Sequence, residues 1–123
     1  MKIYKGTENS VHLIGGLKEK PEVYETLYGL IATAFLATKY SKFNKETQKY
    51  VDDTEWHRLV VKDDMARMLN EEGSAGQKVE VDGYLRTETE SFEEKQTGNQ
   101  KKITFTAVWV DKVKFTEKNT DNN

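Results

Sequence analysis

The sequence contains no cysteine, which excludes disulfide bonds, thiolate nucleophiles and cysteine-built zinc or iron–sulfur sites. Its two histidines, His12 and His57, each stand alone in a strand-like pattern without metal-ligand spacing. We therefore expect no metal site, no cofactor and no catalysis. The sequence also lacks the run of about 20 apolar residues that a membrane span needs, and its N-terminus lacks a secretory signal. These absences predict a cytoplasmic protein that does not contact a membrane.

The sequence also lacks a large excess of positive or negative charge. Nineteen Lys and Arg residues oppose 21 Asp and Glu residues, for a net charge of -2. Residues 1–50 carry a net charge of +3, whereas residues 51–123 carry -5. The charge of the whole chain does not predict nucleic-acid binding, so such a prediction must rest on local patches.

At 123 residues the chain is long enough for one domain. We predict that this domain covers residues 1–116. Residues 117–123 are polar and rich in asparagine, which predicts a disordered tail.

Alternation of apolar and polar residues predicts five strands, at residues 9–15, 31–38, 55–62, 79–85 and 103–109. The second of them reads as buried on both faces. Between the third and fourth, Met65, Met68 and Leu69 have helical spacing. This spacing predicts a short helix that Asp63 or Asp64 caps and that the segment Gly73 to Gly76 ends.

The order of these elements favours an all-β fold with one short helix. Five strands with a helix between the third and fourth, and Gly83 where a coiled strand can bend, indicate an OB-fold, a five-stranded Greek-key barrel. Residues 17–29 connect the first two strands, while residues 39–53 and 88–102 are long enough to form extended β-hairpin loops with mobile tips. A small β-sandwich has the same strand count and stays open.

Basic and aromatic residues are interleaved between residues 39 and 50. Ammonium groups contact phosphates, and aromatic rings stack on bases, in proteins that bind single-stranded nucleic acid. A solvated lysine-rich hairpin is the alternative interpretation. The candidate binding residues in this segment are Lys39, Tyr40, Lys42, Phe43, Lys45 and Lys49.

Trp56 and Arg58 fall on one face of the third strand, opposite His57. A tryptophan beside a guanidinium on a sheet face suits base stacking with a phosphate contact, although burial of Trp56 in the core fits as well. Trp109 is predicted to lie in the core, because it shares its register with Phe105. In the fourth to fifth connection, Phe92 is the residue suited to stacking.

The strand residues resemble those of the bacterial single-stranded DNA-binding proteins. The resemblance covers residues 9–115 and is carried by residues 9–15, 21–22 and 35–38, by the run Thr-Glu-Trp-His-Arg-Leu-Val at 54–60, and by the fourth-strand residues 76 to 87 that end in Leu-Arg-Thr. It implies an OB-fold barrel, a homotetramer or homodimer, and binding of single-stranded DNA without sequence preference in replication, recombination and repair.

The resemblance also implies roles for individual residues. Trp56 matches a base-stacking tryptophan, Arg58 and Arg86 match basic positions near the DNA, and His57 matches a position of subunit assembly. Other family stacking positions are occupied by Lys42, Lys62 and Glu90. The two lysines are expected to contact phosphates instead, Phe92 to share the face of Glu90, and Phe43 to point away from Lys42.

These departures predict weak, strongly salt-dependent DNA binding, because three stacks are lost and Glu88 and Glu90 repel phosphates. The family's acidic, hydrophobic C-terminal tip has no counterpart at residues 119–123, so recruitment of partner enzymes by that route is not expected. The gene belongs to a bacterium, a phage or a mobile element on this interpretation. The alternatives are an OB-fold accessory or assembly subunit of a replication or plasmid complex that binds DNA weakly, and an oligosaccharide-binding module.

Overall fold

The computed structural model describes residues 4–27 and 29–116. Within these two ranges, six strands and one helix follow one another. Their bounds are β1 Val11–Leu17, β2 Glu22–Thr26, β3 Gly29–Asn44, β4 Lys49–Lys62, α1 Asp63–Glu72, β5 Lys78–Glu93 and β6 Gln100–Phe115. Among these residues no helix has the length and apolar character required to cross a membrane.

Five of the strands close into a ring. The sheet order is β1-β5-β6-β4-β3-β2, and β1 pairs with β3 as well as with β5. All pairings are antiparallel except that between β4 and β6. The closed ring confirms the five-stranded barrel expected from the sequence, and the β3–β4 and β5–β6 hairpins extend from it as expected.

The core lies inside the ring and beneath α1. Strand alternation turns one set of apolar side chains inward from each barrel strand, and the helix adds Ala66 and Leu69. Burial of this apolar surface is the main stabilising contribution to the fold. The strand residues of the core are Leu17, Ala32, Ala34, Leu36, Leu59, Val61, Val79, Val81, Val108 and Val110.

A register shift in the β5–β6 pair lets both ends of β6 reach this core. Gly83 pairs with Val110 and Asp82 pairs with Lys112, so the register skips Asp111. After the shift, Val113 rather than Lys112 packs against the core. The bend predicted at Gly83 therefore coincides with a β-bulge, a device that increases the coiling of barrel strands.

Two predictions about local structure are wrong. The segment between residues 17 and 29 contains β2, which forms a hairpin with β3 from Glu22–Thr33 to Thr26–Gly29. Its short apolar pattern was too weak to indicate a strand. Helix α1 begins at Asp63, with Lys62 at the N-cap position and no side-chain capping bond, so neither aspartate caps it. The tail predicted at residues 117–123 lies outside the described residues.

Candidate nucleic-acid interface

The outer face of the barrel carries the side chains that alternate with the core residues. On β4 these are Trp56, Arg58, Val60 and Lys62, because Leu59 and Val61 point inward. Phe35 of β3 pairs directly with Arg58 and therefore shares its face. The outer-face residues of β5 are Tyr84, Arg86, Glu88, Glu90 and Phe92. Those of β6 are Ile103, Phe105, Ala107 and Trp109.

Trp56 lies at the surface and not in the core. Its side chain is 48% exposed and that of Phe35 is 38% exposed. The ammonium group of Lys18 lies 5.4 Å from the ring centre of Trp56 and 5.7 Å from that of Phe35. Phe35 lies on β3, the second of the predicted strands. The expectation that this strand is buried on both faces is wrong at Phe35, because the core of the barrel covers only the face of β3 opposite to it. Two rings and a cation thus form one exposed cluster.

Arg58 forms the next cluster along the face. Its guanidinium lies 4.3 Å from the ring centre of Phe105, and one of its terminal nitrogens lies 3.9 Å from a carboxylate oxygen of Glu90. Its Nε atom is buried and has no hydrogen-bond partner among the described residues. Arg58 is therefore held by an aromatic ring and a carboxylate and retains an unused donor.

Trp109 also belongs to the outer face, so the prediction of a core position is wrong. Val108 and Val110 face the core, and strand alternation turns the residue between them outward. The ring carries the guanidinium of Arg86 at 4.3 Å and the ammonium of Lys62 at 5.3 Å. Its indole nitrogen donates a hydrogen bond of 2.9 Å to Glu88.

The β3–β4 hairpin divides its basic and aromatic residues between two sides. The pairing stays regular up to Asn44–Lys49, so Lys39 and Phe43 share the side of Trp56, while Tyr40 and Lys42 face the other way. The Phe43 ring makes an edge contact with Tyr50 at 5.2 Å. Phe43 points away from Lys42, as expected. Lys45 lies in the turn and is exposed, and Lys49 lies on the side of Lys42.

The side of the hairpin that faces away from Trp56 is partly neutralised by Asp53. The hydroxyl of Tyr40 donates to this carboxylate at 3.2 Å, and the ammonium of Lys42 lies 3.8 Å from it. Hydrogen bonds to the Asp53 carboxylate lower its pKa. The bond from the backbone N–H of Thr54 has the larger effect, and the bond from the Tyr40 hydroxyl has the next largest. The ionised aspartate in turn raises the pKa of Tyr40. This side therefore offers phosphates less positive charge than its lysines suggest.

Phe92 shares the outer face with Glu90, as expected. The two residues pair with Lys101 and Ile103 on β6, and the Phe92 side chain is 48% exposed. The β5–β6 hairpin thus extends the outer face beyond the barrel and adds the ring of Phe92 to it. It also brings the two carboxylates of Glu88 and Glu90 onto that face.

His57 lies on the opposite face of β4 from Trp56, as strand alternation predicted. It is half-buried, and its Nε2 atom lies 2.8 Å from the hydroxyl of Thr38. Within the described parts of the chain, no group of three or more His, Asp or Glu residues is arranged to hold a metal ion.

Sequence reasoning missed Lys18, Phe35, Phe105 and Trp109 as members of the outer face. Lys18 lies outside every predicted strand. The three aromatic residues occur in predicted strands, but a strand pattern cannot show which side the barrel covers. Only the cross-strand pairs Phe35–Arg58 and Val60–Trp109 bring them beside the β4 residues.

Comparisons with known proteins show that this chain is similar to a protein family and to a solved structure. The model of the Single-strand binding protein family matches residues 8–116. A solved structure described as a Plasmodium falciparum SSB complex with ssDNA superposes with a TM-score of 0.72 at 24% identity, covering 94% of this chain and 100% of that chain. At that identity the likeness concerns the fold, and it agrees with an OB-fold barrel.

Proposed function

This chain belongs to the single-strand binding protein family, and from that membership we propose that it binds single-stranded DNA without sequence preference and is not an enzyme. Residues 1–116 form the binding domain in this proposal. It coats DNA that is transiently exposed in replication, recombination and repair, and it acts as a homotetramer or homodimer.

One observation carries the proposal: aromatic rings and basic groups meet repeatedly on one exposed face. Three such contacts are the Lys18 ammonium over Trp56, the Arg58 guanidinium over Phe105 and the Arg86 guanidinium over Trp109. Rings that stack on any base, next to cations that contact any phosphate, give affinity without sequence readout. The residues proposed to contact DNA are Trp56, Arg58, Lys39, Tyr40, Lys42, Phe43, Lys45, Lys49, Lys62, Arg86 and Phe92.

The test is a titration of a fluorophore-labelled thymidine oligomer, followed by anisotropy at low and at moderate salt. We expect saturable binding that weakens steeply with salt, because phosphate contacts release counterions. A labelled duplex of the same length serves as the control and should bind less tightly, since its bases are not available for stacking. The absence of binding to the single strand at low salt would contradict the proposal.

The acidic residues of the β5–β6 hairpin favour a second candidate function. Glu88 and Glu90 place two carboxylates on the outer face, where they repel phosphates, and Glu90 lies 3.9 Å from the guanidinium of Arg58. An OB-fold subunit that assembles with a replication or plasmid protein and binds DNA weakly would have such a face. This second function predicts little affinity for the oligomer even at low salt, together with co-purification of a protein partner.

A further inference from the structure

Trp109 lies at the seam of the outer face where β4 and β6 run parallel. It pairs with Val60 of β4 on one side and with Tyr84 of β5 on the other. Its side chain is only partly buried and does not belong to the core cluster. The largest side chain on this part of the face is therefore supported from below by the sheet and accessible from outside.

The orientation of this indole is set by one hydrogen bond. Its Nε1–H donates to a carboxylate oxygen of Glu88 at 2.9 Å. Tryptophan has a single side-chain donor, so this bond satisfies its only polar group and leaves no demand for a further partner. Glu88 thereby holds the ring at a defined angle on the sheet.

The flat surface of the indole is covered by two exposed cations. The guanidinium of Arg86 lies 4.3 Å from the ring centre, and the ammonium of Lys62 lies 5.3 Å from it. Exposed side chains of this kind change rotamer within picoseconds to nanoseconds. An incoming flat group can therefore displace either cation from the ring at little cost.

The exchange with a nucleobase is favourable on general grounds. A base stacked on an aromatic ring contributes more to binding than an exposed cation–π contact does. Each cation still contributes to binding after it leaves the ring, because it can contact a phosphate next to the stacked base. Single-stranded nucleic acid supplies both groups in each nucleotide.

We propose that Trp109 is a second base-stacking position, which Arg86 and Lys62 cover in the free protein and a nucleotide uncovers, with Glu88 as its positioning residue. The inference rests on the proposed function. Trp56 lies four residues from Val60 along β4, roughly 13 Å at the rise of a strand. The two tryptophans therefore receive different bases of one strand.

The sequence has two tryptophans, so each can be observed alone. The variant Trp56→Phe leaves Trp109 as the sole fluorophore, and Trp109→Phe leaves Trp56. Both substitutions keep an aromatic ring, which preserves the packing of the face. Binding is measured independently through the anisotropy of a labelled thymidine oligomer, and the indole emission is recorded in parallel with an unlabelled oligomer.

We expect the emission of Trp56→Phe to be quenched in step with binding and to recover when salt dissociates the complex. Saturable binding of the labelled oligomer with unchanged Trp109 emission would overturn the inference and leave the proposed function intact. If the unsubstituted protein fails to bind the oligomer at low salt, the proposed function falls and the inference falls with it.

A second pair of variants tests the role of Glu88. Glu88→Gln keeps an oxygen that accepts the indole hydrogen bond and removes the charge, so we expect binding about two- to fivefold tighter at low salt. Glu88→Ala removes the same charge and the acceptor, and is expected to bind less tightly than Glu88→Gln. Glu93→Gln, which removes a charge on the other side of the same hairpin, is the control. Equal affinities of the Gln and Ala variants at position 88 would refute the positioning role.

Discussion

Folding alone does not explain why Trp56 is exposed. A tryptophan that is 48% exposed leaves apolar surface in water, and the Lys18 ammonium lies 5.4 Å from its ring centre. We predict that Trp56→Ala weakens binding of a thymidine oligomer by roughly 1–3 kcal/mol. Anisotropy titration measures the loss. Ile14→Ala, at a residue of similar exposure on β1, should bind normally, and normal binding by Trp56→Ala would show that the site is misplaced.

Glu90 limits what Arg58 can do. Its carboxylate lies 3.9 Å from the guanidinium and competes with phosphate for the same charge. We predict that Glu90→Gln tightens DNA binding and steepens the slope of log K against log salt by somewhat under one unit, because Arg58 then contributes a full phosphate contact. Titrations at several salt concentrations test this, with Glu72→Gln at the end of α1 as the control. An unchanged slope would mean that Arg58 does not contact a phosphate.

At the scale of the strand, Gly83 is required by the close approach of β5 and β6. A Cβ at this residue would collide with the carbonyl oxygen of Trp109, a backbone atom that cannot rotate away. We predict that Gly83→Ala lowers the free energy of unfolding by about 1–3 kcal/mol, measured by urea denaturation. Gly16→Ala is the matched control, since its Cβ would have only an ordinary contact at 3.8 Å. Equal stabilities of the two variants would contradict the packing argument.

The pairing of β1 with β5 carries a pH dependence through His12. Its Nδ1 lies 2.7 Å from Asp82 and its Nε2 lies 3.3 Å from Glu80. The hydrogen bond to Asp82, with the negative charge of both carboxylates, raises the pKa of His12 above its ordinary value of 6.5. Since the folded state binds this proton more tightly, the stabilisation is complete below 6.5 and is lost as the pH rises through the raised pKa.

We therefore predict that the free energy of unfolding falls slightly between about pH 6 and about pH 8, and that His12→Gln falls less over the same interval. The effect is small because the imidazole is exposed to solvent. Urea denaturation of both proteins across this range measures it. Parallel curves for the two proteins would show that His12 makes no contribution to the pH dependence.

For the molecule as a whole, His57 faces away from Trp56 and is the proposed contact between subunits. We predict that His57→Lys lowers the molar mass measured by light scattering, because an ammonium group placed in an interface must be desolvated without a partner. The substitution also removes the hydrogen bond to Thr38. Thr38→Val, which removes that bond and keeps the imidazole, is the control. A His57→Lys mass equal to that of the unsubstituted protein would refute the assignment.

The closed barrel explains why the predictions about single strands were more accurate than those about their surroundings. Alternation in β4 correctly separated Trp56 and Arg58 from His57, because neighbouring residues of a strand always point to opposite faces. The same argument failed for Trp109. Alternation shows that Trp109 and Phe105 share a side of β6, but either side of an apolar strand is suited to the core.

The strand-rich fold, the position of the helix, the residues that share a side within each strand and the family could all be predicted from the amino-acid sequence. These depend on local periodicity and on motifs that the chain carries in order. The folded molecule was needed to show which side of each strand the barrel buries and that β2 pairs with β3. It was needed as well to show that Glu88 contacts Trp109 and that Glu90 contacts Arg58. Such contacts join residues distant in sequence, and they depend on strand register and on the bulge at Gly83, which no local pattern specifies.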